Sequence, residues 1–372
     1  MTSRRALALV CALTGALAGC ASSDKPKPKP LESLTPQIAG RQVWSQRIDP
    51  SSLSTTVAVN TGVFTVAGGD GTVVAMQADT GRELWRGTVG GKLAAGVGSD
   101  GKLAAVVTRD GKLVAVEAGR VLWQKSLAVR VTTAPLVAGA RVFVLGTDRS
   151  VQAFDAQDGQ KLWTVQRPSD PLTLAQAGVI AAFKNTLLVG QGARMAGLEP
   201  RDGSVKFDVA VASPRGTNEV ERLADLVAPA SRVGDVVCAR SFQAAVGCIN
   251  AQQGTLLWTR VTGGTNGVAA DEQTVFGADA SDRITAWKAA TGEVLWTSDK
   301  LMHRGLSAPL LIGKAVVFGD AEGTLHFLSR DKGDAMLRLS TDGSAILSAP
   351  VISGTTMLVV TKAGGVFAFR PE

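Results

Sequence analysis

One sequence pattern recurs along most of the chain and limits the folds that it can adopt. The pattern is a glycine or serine, an alternating apolar stretch, a short polar turn and a closing Leu-Trp pair, with clear copies at residues 71–85, 111–123 and 150–163. The last residues of all copies, including weaker ones, stand at positions 44, 85, 123, 163, 207, 258, 296 and 337. Successive copies are therefore 38 to 51 residues apart. A period of about 40 residues is typical of one four-stranded blade of a β-propeller.

Each repeat contains the signals for four short strands. In the copy that ends at Trp163, alternating segments begin at Pro135, Arg141, Ser150 and Lys161. Asp-Gly and Gly-Asp pairs between such segments supply the positive φ angles that tight hairpins need. A low content of charged residues, 19%, and 42 glycines also favour a sheet-rich fold. We therefore predict an all-β protein built from four-stranded antiparallel blades.

The two ends of the repeat region complement each other. The last two strands, predicted at 356–361 and 365–370, have no Leu-Trp strand after them, whereas Val43-Trp44 has no inner strands before it. The N-terminal strand can complete the last blade, which closes the ring and hides the sheet edges of a linear array. Residues 37–372 are thus predicted to form an eight-bladed β-propeller. The tryptophans are expected to pack between blades; the alternative, a stack around a flat cofactor in the central channel, needs them on inner strands.

The first 36 residues have the composition of an export and anchoring segment. Arg4 and Arg5 precede a short apolar run that ends in Leu17-Ala18-Gly19-Cys20, which predicts a signal peptide at 1–19. This ending resembles the bacterial lipobox, and the resemblance implies cleavage before Cys20 and lipidation of that residue. Ala21 follows, as in lipoproteins that are sent on to the outer membrane. Residues 20–36, rich in Lys-Pro, are predicted to be an extended tether, so we expect a lipid-anchored protein at the periplasmic face of the outer membrane.

The charge and the polar composition exclude several function classes. The net charge is +7 and the isoelectric point about 9.4, but five basic residues and one acidic residue lie in the first thirty. The remaining chain is nearly balanced, so nucleic acid is not an expected partner. Two histidines and no tyrosine argue against His-rich metal sites and Ser-His-Asp chemistry. No metal or other cofactor is predicted.

The Asp-x-x-Gly-x-x-Leu-Trp units resemble the PQQ-type repeat, which is named for quinoprotein dehydrogenases. With the lipobox, the tether and eight blades, the whole mature chain resembles the BamB family of lipoproteins. The resemblance implies a non-catalytic scaffold of the outer-membrane β-barrel assembly complex. Its expected partners are the periplasmic POTRA domains of a BamA homologue and unfolded outer-membrane clients. The architecture alone suggests that exposed blade edges accept an extended segment of a client or partner by strand addition.

Two other classes stay open at this stage. The first is a PQQ-dependent periplasmic dehydrogenase, which needs Ca²⁺ ligands near the channel and a general-base aspartate. Many aspartates here stand in turns instead, among them Asp70, Asp100, Asp110 and Asp158. The second class is a propeller that binds glycans or peptides, which exposed aromatic residues on one face would favour.

Two linkers between blades are unusually long. From Trp163 to Val179 there are 16 residues and from Phe207 to Pro229 there are 22, against about 10–13 elsewhere. Such loops from adjacent blades emerge on one face and are a candidate binding surface. The alternative is neutral variation in loop length.

The resemblance assigns partner contacts within these linkers. A family Leu-x-Leu-Arg run corresponds to residues 172–175, where arginine is replaced by alanine, and a family Asp-x-Asp pair corresponds to 225–227, where the second aspartate is replaced by valine. A third linker adds an arginine. The predicted contact residues are Leu172, Leu174, Glu221, Arg222, Asp225 and Arg304. The alternative for the two leucines is that they cover a blade end.

Cys238 and Cys248 lie on consecutive strands of one predicted hairpin. The intervening turn places them roughly opposite each other. An oxidising compartment permits a disulfide between them. Two buried free thiols are the alternative that the sequence leaves open.

Overall fold

A computed structural model describes residues 26–50, 57–167, 172–213, 217–220 and 222–372. The predicted signal peptide and Cys20 lie outside these residues. Within them, no helix is long and apolar enough to cross a membrane. The 32 strands form eight four-stranded sheets, and every strand pair in them is antiparallel. The eight-bladed β-propeller is therefore confirmed.

The first four blades follow one another along the chain in simple meanders. Blade 1 contains β2 (Ala58–Asn60), β3 (Val63–Ala67), β4 (Thr72–Gln77) and β5 (Glu83–Thr88). Blade 2 contains β6 (Gly98–Ser99), β7 (Leu103–Val107), β8 (Lys112–Glu117) and β9 (Arg120–Ser126). Blade 3 contains β10 (Leu136–Ala138), β11 (Arg141–Leu145), β12 (Val151–Asp155) and β13 (Lys161–Val165). Blade 4 contains β14 (Ile180–Phe183), β15 (Thr186–Gln191), β16 (Arg194–Leu198) and β17 (Val205–Ala210).

The remaining blades repeat this order until the chain ends meet. Blade 5 contains β18 (Leu226–Val233), β19 (Val236–Ser241), β20 (Ala245–Asn250) and β21 (Thr255–Val261). Blade 6 contains β22 (Ala269–Ala270), β23 (Thr274–Ala278), β24 (Ile284–Lys288) and β25 (Val294–Ser298). Blade 7 contains β26 (Leu310–Ile312), β27 (Ala315–Gly319), β28 (Thr324–Ser329) and β29 (Ala335–Ser340). Blade 8 contains β30 (Val351–Ser353), β31 (Thr356–Val360), β32 (Gly365–Pro371) and the N-terminal β1 (Gly40–Arg47).

Burial follows the position of each strand in its blade. All five residues of β7, a second strand, are buried, whereas Trp123 is the one buried residue of the outer strand β9. The middle strands pack against neighbouring blades on both faces, so their side chains are apolar on both faces. The short first strands of neighbouring blades surround the centre of the ring. The core is therefore distributed over the interfaces between blades.

The repeated tryptophan and glycine form a joint between neighbouring blades. The indole N–H of Trp44 donates to the carbonyl oxygen of Ala78 in the next blade (2.9 Å). A Cβ at Gly81, whose φ is 69°, would lie 2.6 Å from that indole ring, so both the conformation and the ring contact require glycine. The same bond and contact recur at Trp123–Gly159, Trp163–Gly203, Trp258–Gly292 and Trp296–Gly333. The Trp and Gly of the repeat motif therefore mark residues that contact each other between neighbouring blades.

The ring closes as predicted, through pairing of β1 with β32 from Gly40↔Pro371 to Arg47↔Gly365. The chain alternates direction in each blade, which gives the ring two distinct faces. We call the loop face the one that carries the connections between blades and the turns between second and third strands. The turn face carries the other turns and, in blade 8, Gly40 and Pro371.

The N-terminal segment differs from the predicted tether. Residues 29–38, which we call the strap, lie against blade 7 rather than apart from the propeller. The strap donates from the Lys29 amide to the Met302 carbonyl oxygen and from the Gln37 amide to the Met336 carbonyl oxygen, both at 2.9 Å. Leu31 and Ile38 pack against buried apolar clusters of the propeller. Apolar side chains between the prolines and β1 provide part of these contacts, so residues 29–36 of the predicted tether are attached to the propeller.

Candidate partner-binding surface

The two long linkers lie next to each other on the loop face. Loop A (166–179) connects β13 to β14, and loop B (211–225) connects β17 to β18. The strand β18 begins at Leu226, three residues before the predicted Pro229, so loop B is shorter than the sequence indicated. An isolated bridge pairs Gly178 with Val227. The end of loop A is therefore joined by backbone contacts to β18, the strand that follows loop B.

Asp225 at the end of loop B connects three parts of this surface. One carboxylate oxygen accepts a hydrogen bond from the guanidinium of Arg149 (Nη2···Oδ1 2.9 Å), and the other accepts from the backbone amide of Leu174 (3.0 Å). Arg149 also donates to the Leu172 carbonyl oxygen (3.3 Å). The Arg149–Asp225 pair thus holds the backbone of both predicted leucines of loop A, Leu172 through the guanidinium and Leu174 through the carboxylate. Side chains of Arg149 and Asp225 are 15% and 16% exposed, a setting in which the hydrogen-bonded ion pair is shielded from much of the solvent.

Loop A is further held by blades 3, 5 and 6. The amide of Gly178 donates to the Thr133 hydroxyl (2.9 Å), and the Gln176 side chain donates to the Thr265 carbonyl oxygen (2.6 Å). The amide of Ala228 donates to the Ala177 carbonyl oxygen (3.0 Å). Residues 176–178 of loop A are therefore held by three separate parts of the ring.

The predicted contact residues occupy different environments on this surface. Leu172 is exposed, with 37% of its surface accessible, and Leu174 is partly buried. Arg222 is partly buried and has interactions of its own, while Glu221 lies outside the described residues. The structure brings Leu172, Leu174 and Asp225 together.

A second aspartate anchors the beginning of loop A. Asp208 on β17 forms ion pairs with Arg167 of loop A (2.6 Å) and with Arg194 of β16 (2.8 Å). Burial opposes ionisation of the Asp208 carboxyl, but the hydrogen bonds from the two arginines outweigh it and hold its pKa below the usual range. The beginning of loop A is therefore attached by an ion pair, whereas Leu172, Leu174 and Gly178 further along it are attached by hydrogen bonds.

Arg149 is the functional residue that sequence reasoning missed. It occupies the turn position at which Gly71 and Gly111 stand in blades 1 and 2, and its φ is +62°. A non-glycine residue rarely adopts this conformation without compensating contacts. Asp282 occupies the matching position in blade 6, with φ +65°, and accepts hydrogen bonds from the Gly305 and Leu306 amides. A residue other than glycine at this turn position was therefore the sequence feature that could have indicated a side chain that holds a loop.

The prediction for Arg304 requires correction. Its side chain is 5% exposed and forms ion pairs with Asp320 (2.9 Å) and with Glu322. It also donates to the Lys29 carbonyl oxygen of the strap (3.3 Å). The third linker folds inward here because the buried Asp320 carboxylate requires a cationic partner. Arg304 therefore holds the strap and is not an exposed contact.

The paired cysteines lie directly opposite each other on β19 and β20. The register pairs Cys238 with Cys248, and their sulfur atoms lie within bonding distance of each other. Both side chains are buried among apolar residues that include Trp258 and Trp287. The cross-strand position accounts for the short approach of their backbones, with a Cα–Cα distance of 4.0 Å.

The aspartates considered for dehydrogenase chemistry serve the turns in which they stand. Asp70 accepts hydrogen bonds from the Thr72 amide and hydroxyl, Asp100 from the Leu103 amide and Asp158 from the Gln160 amide. Among the residues that the structure describes, no group of three or more His, Cys, Asp or Glu side chains could hold a metal ion.

These features first define a class of protein. The chain is an eight-bladed β-propeller of PQQ-type repeats with two long loops next to each other on one face. A family model described as outer membrane protein assembly factor BamB matches residues 33–94 and 69–298. BamB of Burkholderia pseudomallei is 38% identical over 380 residues and 100% of both chains. BamB of Bordetella pertussis is 32% identical over 368 residues, 96% of this chain and 95% of the relative. The chain belongs to the BamB family.

Solved structures share the fold. BamB from Moraxella catarrhalis matches with a TM-score of 0.82 at 23% identity, covering 89% of this chain and 100% of that one. A quinohemoprotein alcohol dehydrogenase from Comamonas testosteroni matches with a TM-score of 0.67 at 15% identity, covering 89% of this chain and 76% of that one. At these identities the likeness concerns the fold alone.

Proposed function

We propose that this protein is a non-catalytic scaffold of the outer-membrane β-barrel assembly complex. Its loop face binds the periplasmic POTRA region of a BamA homologue, and a lipid on Cys20 anchors it to the periplasmic face of the outer membrane. Its relatives at 38% and 32% identity are both named outer membrane protein assembly factors. The observation that carries the binding site is the Asp225 carboxylate, which fixes the backbone of loop A beside an exposed Leu172.

The arrangement has the anatomy of a protein interface. Leu172 and Leu174 provide the apolar side chains, and the charged groups of Arg149 and Asp225 are bonded to their backbone. Interfaces commonly combine an apolar centre with a polar rim, and a few central side chains carry most of the binding energy. Loops that are already ordered lose less conformational entropy on binding.

The test is co-elution of two purified proteins. The chain from Ala21 onward is mixed with the periplasmic domains of the BamA homologue and separated by size. We expect a complex with the unchanged chain and its loss in a Leu172→Glu, Leu174→Glu variant. The matched control replaces two exposed leucines of outer strands, Leu257→Glu and Leu295→Glu. This control tests the blade edges with the same number of added charges.

The outcomes separate the two surfaces. A complex that survives in the loop variant and disappears in the edge variant would move the site to the blade edges. Absence of a complex with the unchanged, folded chain would remove the scaffold proposal.

The covalent chemistry of the cysteines belongs to the same proposal. Protein exported with its own leader is expected to carry lipid on Cys20 and to partition into membranes, whereas a Cys20→Ser variant stays in the aqueous fraction.

We also expect Cys238 and Cys248 to be oxidised, with no thiol reacting with iodoacetamide until the denatured protein is reduced. Free thiols in the denatured, non-reduced protein would instead support the two buried thiols that the sequence left open.

A further inference from the structure

The strap determines where the N-terminal chain leaves the propeller. Lys29 lies at the loop face, where its amide donates to the Met302 carbonyl oxygen and its ammonium pairs with Asp299 (3.1 Å). From there the strap runs antiparallel to β29, because Glu32 contacts Arg338 whereas Gln37 contacts Met336. It then enters β1 at Gly40, beside Pro371 on the turn face. The strap therefore carries the chain from one face of the ring to the other.

The strap is attached by groups of different kinds along its whole length. Arg304 donates to the Lys29 carbonyl oxygen, and Arg338 donates to the Glu32 carbonyl oxygen (2.6 Å). Arg304 is itself fixed by the buried Asp320, which also contacts His326 at 2.9 Å. Leu31 packs against the apolar cluster of blades 6 and 7. These contacts satisfy backbone carbonyl groups that an extended proline-rich segment otherwise exposes to water.

The attachment changes both the exit face and the reach of the anchor. From Cys20 to Lys29 there are nine residues, which span at most about 30 Å when extended. Without the strap contacts, the free segment would run from Cys20 to Gly40, about twice that reach, and would leave from the turn face. The turns of the two faces are separated by middle strands of five or six residues, or about 15–20 Å.

We propose that the strap orients the propeller at the membrane, with the loop-face rim of blades 6 and 7 directed toward the lipid surface. This inference rests on the proposed lipid at Cys20. The loops A and B belong to the same face, so the strap also sets the side from which a membrane-attached partner meets them. The partner of the rim is the lipid bilayer itself, which the short remaining tether keeps within about 30 Å of Lys29.

The experiment measures the distance of each face from the lipid. The lipidated full-length protein is placed in phosphatidylethanolamine–phosphatidylglycerol vesicles that contain an acceptor-labelled lipid. A donor dye is attached at Lys362→Cys on the loop face or at Lys314→Cys on the turn face, two exposed lysines in the blades beside the strap. We expect about twofold greater energy transfer from position 362 than from 314, given a separation of the faces of about 15–20 Å.

A strap variant and a matched control complete the test. The strap variant is Leu31→Asp with Arg338→Ala, and the control is Leu257→Asp with Arg201→Ala, which lie away from the strap. The strap variant is expected to lose the difference between the two dyes, while the control keeps it. Circular dichroism verifies that both remain folded.

A second readout does not depend on lipid. Glu-specific protease cleavage after Glu32, followed by mass spectrometry, should be slow in the unchanged protein and at least tenfold faster in the strap variant. Vesicle-bound protein with equal transfer from both dyes, or with a difference that the strap variant keeps, would overturn the orientation proposal alone. Protein that does not bind vesicles would overturn it together with the lipid anchor, while the complex in the co-elution test would remain unaffected.

Discussion

Two ion-paired clusters on the loop face use the same residue types for different purposes. In the Asp225 cluster, a turn of blade 3 supplies Arg149 and a loop supplies Asp225. In the Asp320 cluster, the origins are reversed, because a loop supplies Arg304 and a turn of blade 7 supplies Asp320. Both join a connection between blades to a neighbouring turn. A turn between second and third strands supplies the arginine in one cluster and the aspartate in the other, so a connection is attached with either sense of charge.

The clusters differ in burial. The side chains of Arg304 and Asp320 are 5% and 0% exposed, whereas those of Arg149 and Asp225 are 15% and 16% exposed. The Asp320 cluster also includes the buried His326. Removing one partner of a fully buried ion pair destabilises the fold strongly. In a partly exposed pair, water can hydrate the group that is left, so the loss of stability is smaller. Burial therefore indicates an architectural role for the Asp320 cluster and a surface-ordering role for the Asp225 cluster.

The largest expected effect is on stability. Asp320→Ala should lower the free energy of unfolding by about 3–5 kcal/mol, because it leaves His326 buried without its carboxylate partner and removes the buried carboxylate that pairs with Arg304. Asp225→Ala should lower it by about 1–2 kcal/mol, since water reaches the groups that it leaves. Urea denaturation followed by tryptophan fluorescence measures both. Equal losses would show that the difference in burial does not separate the clusters.

The second effect is on partner binding, where the ranking of the two variants is reversed. Asp225→Ala should weaken binding to the BamA homologue about tenfold, equivalent to ~1.4 kcal/mol, because Leu174 loses the acceptor of its amide. Asp320→Ala, at a temperature where it remains folded, should leave the affinity unchanged. Titration calorimetry with the periplasmic domains measures both constants. If Asp320→Ala weakened binding as much as Asp225→Ala, the Asp225 cluster would have no special part in the interface.

The fold could be read from the sequence because it repeats. At five interfaces the Trp of one unit meets the Gly of the next, so the Trp44–Gly81 contact belongs to a pattern that recurs at four others. Ring closure followed from the unpaired first and last strands. The period of the pattern therefore sufficed to count the blades.

The clusters could not be predicted in the same way because each occurs once. Asp225 and Arg149 are 76 residues apart, and their contact depends on how two blades orient their turns. Arg304 and Lys29 are 275 residues apart, and the sequence around Lys29 has the composition of a free spacer. Nothing local in residues 29–38 distinguishes a docked segment from an extended one; the arginines that bind its carbonyl groups lie elsewhere in the chain.

The smallest expected effect is the acid dependence of the two attachments. Burial opposes ionisation of Asp320, but the hydrogen bond with His326, backbone amides and Arg304 hold its pKa below the usual range. The pKa of Asp208 is lowered against burial by Arg167 and Arg194. A carboxyl whose pKa is lower in the folded state stabilises the fold above its unfolded-state value of about 4 and loses this contribution as the pH falls through the folded-state value.

The measurement is the free energy of unfolding from pH 7 to pH 2.5 for the unchanged protein and for two variants, Asp320→Asn and Asp208→Asn. The difference between the unchanged protein and each variant should be constant above about pH 5 and shrink below about pH 4. It should be larger for Asp320, whose carboxylate has four hydrogen-bond contacts and no exposure, than for Asp208, whose arginine partners are partly exposed. A difference that grew on acidification would mean that these carboxylates are not ionised in the native protein, and the ion-pair comparison would fail with it.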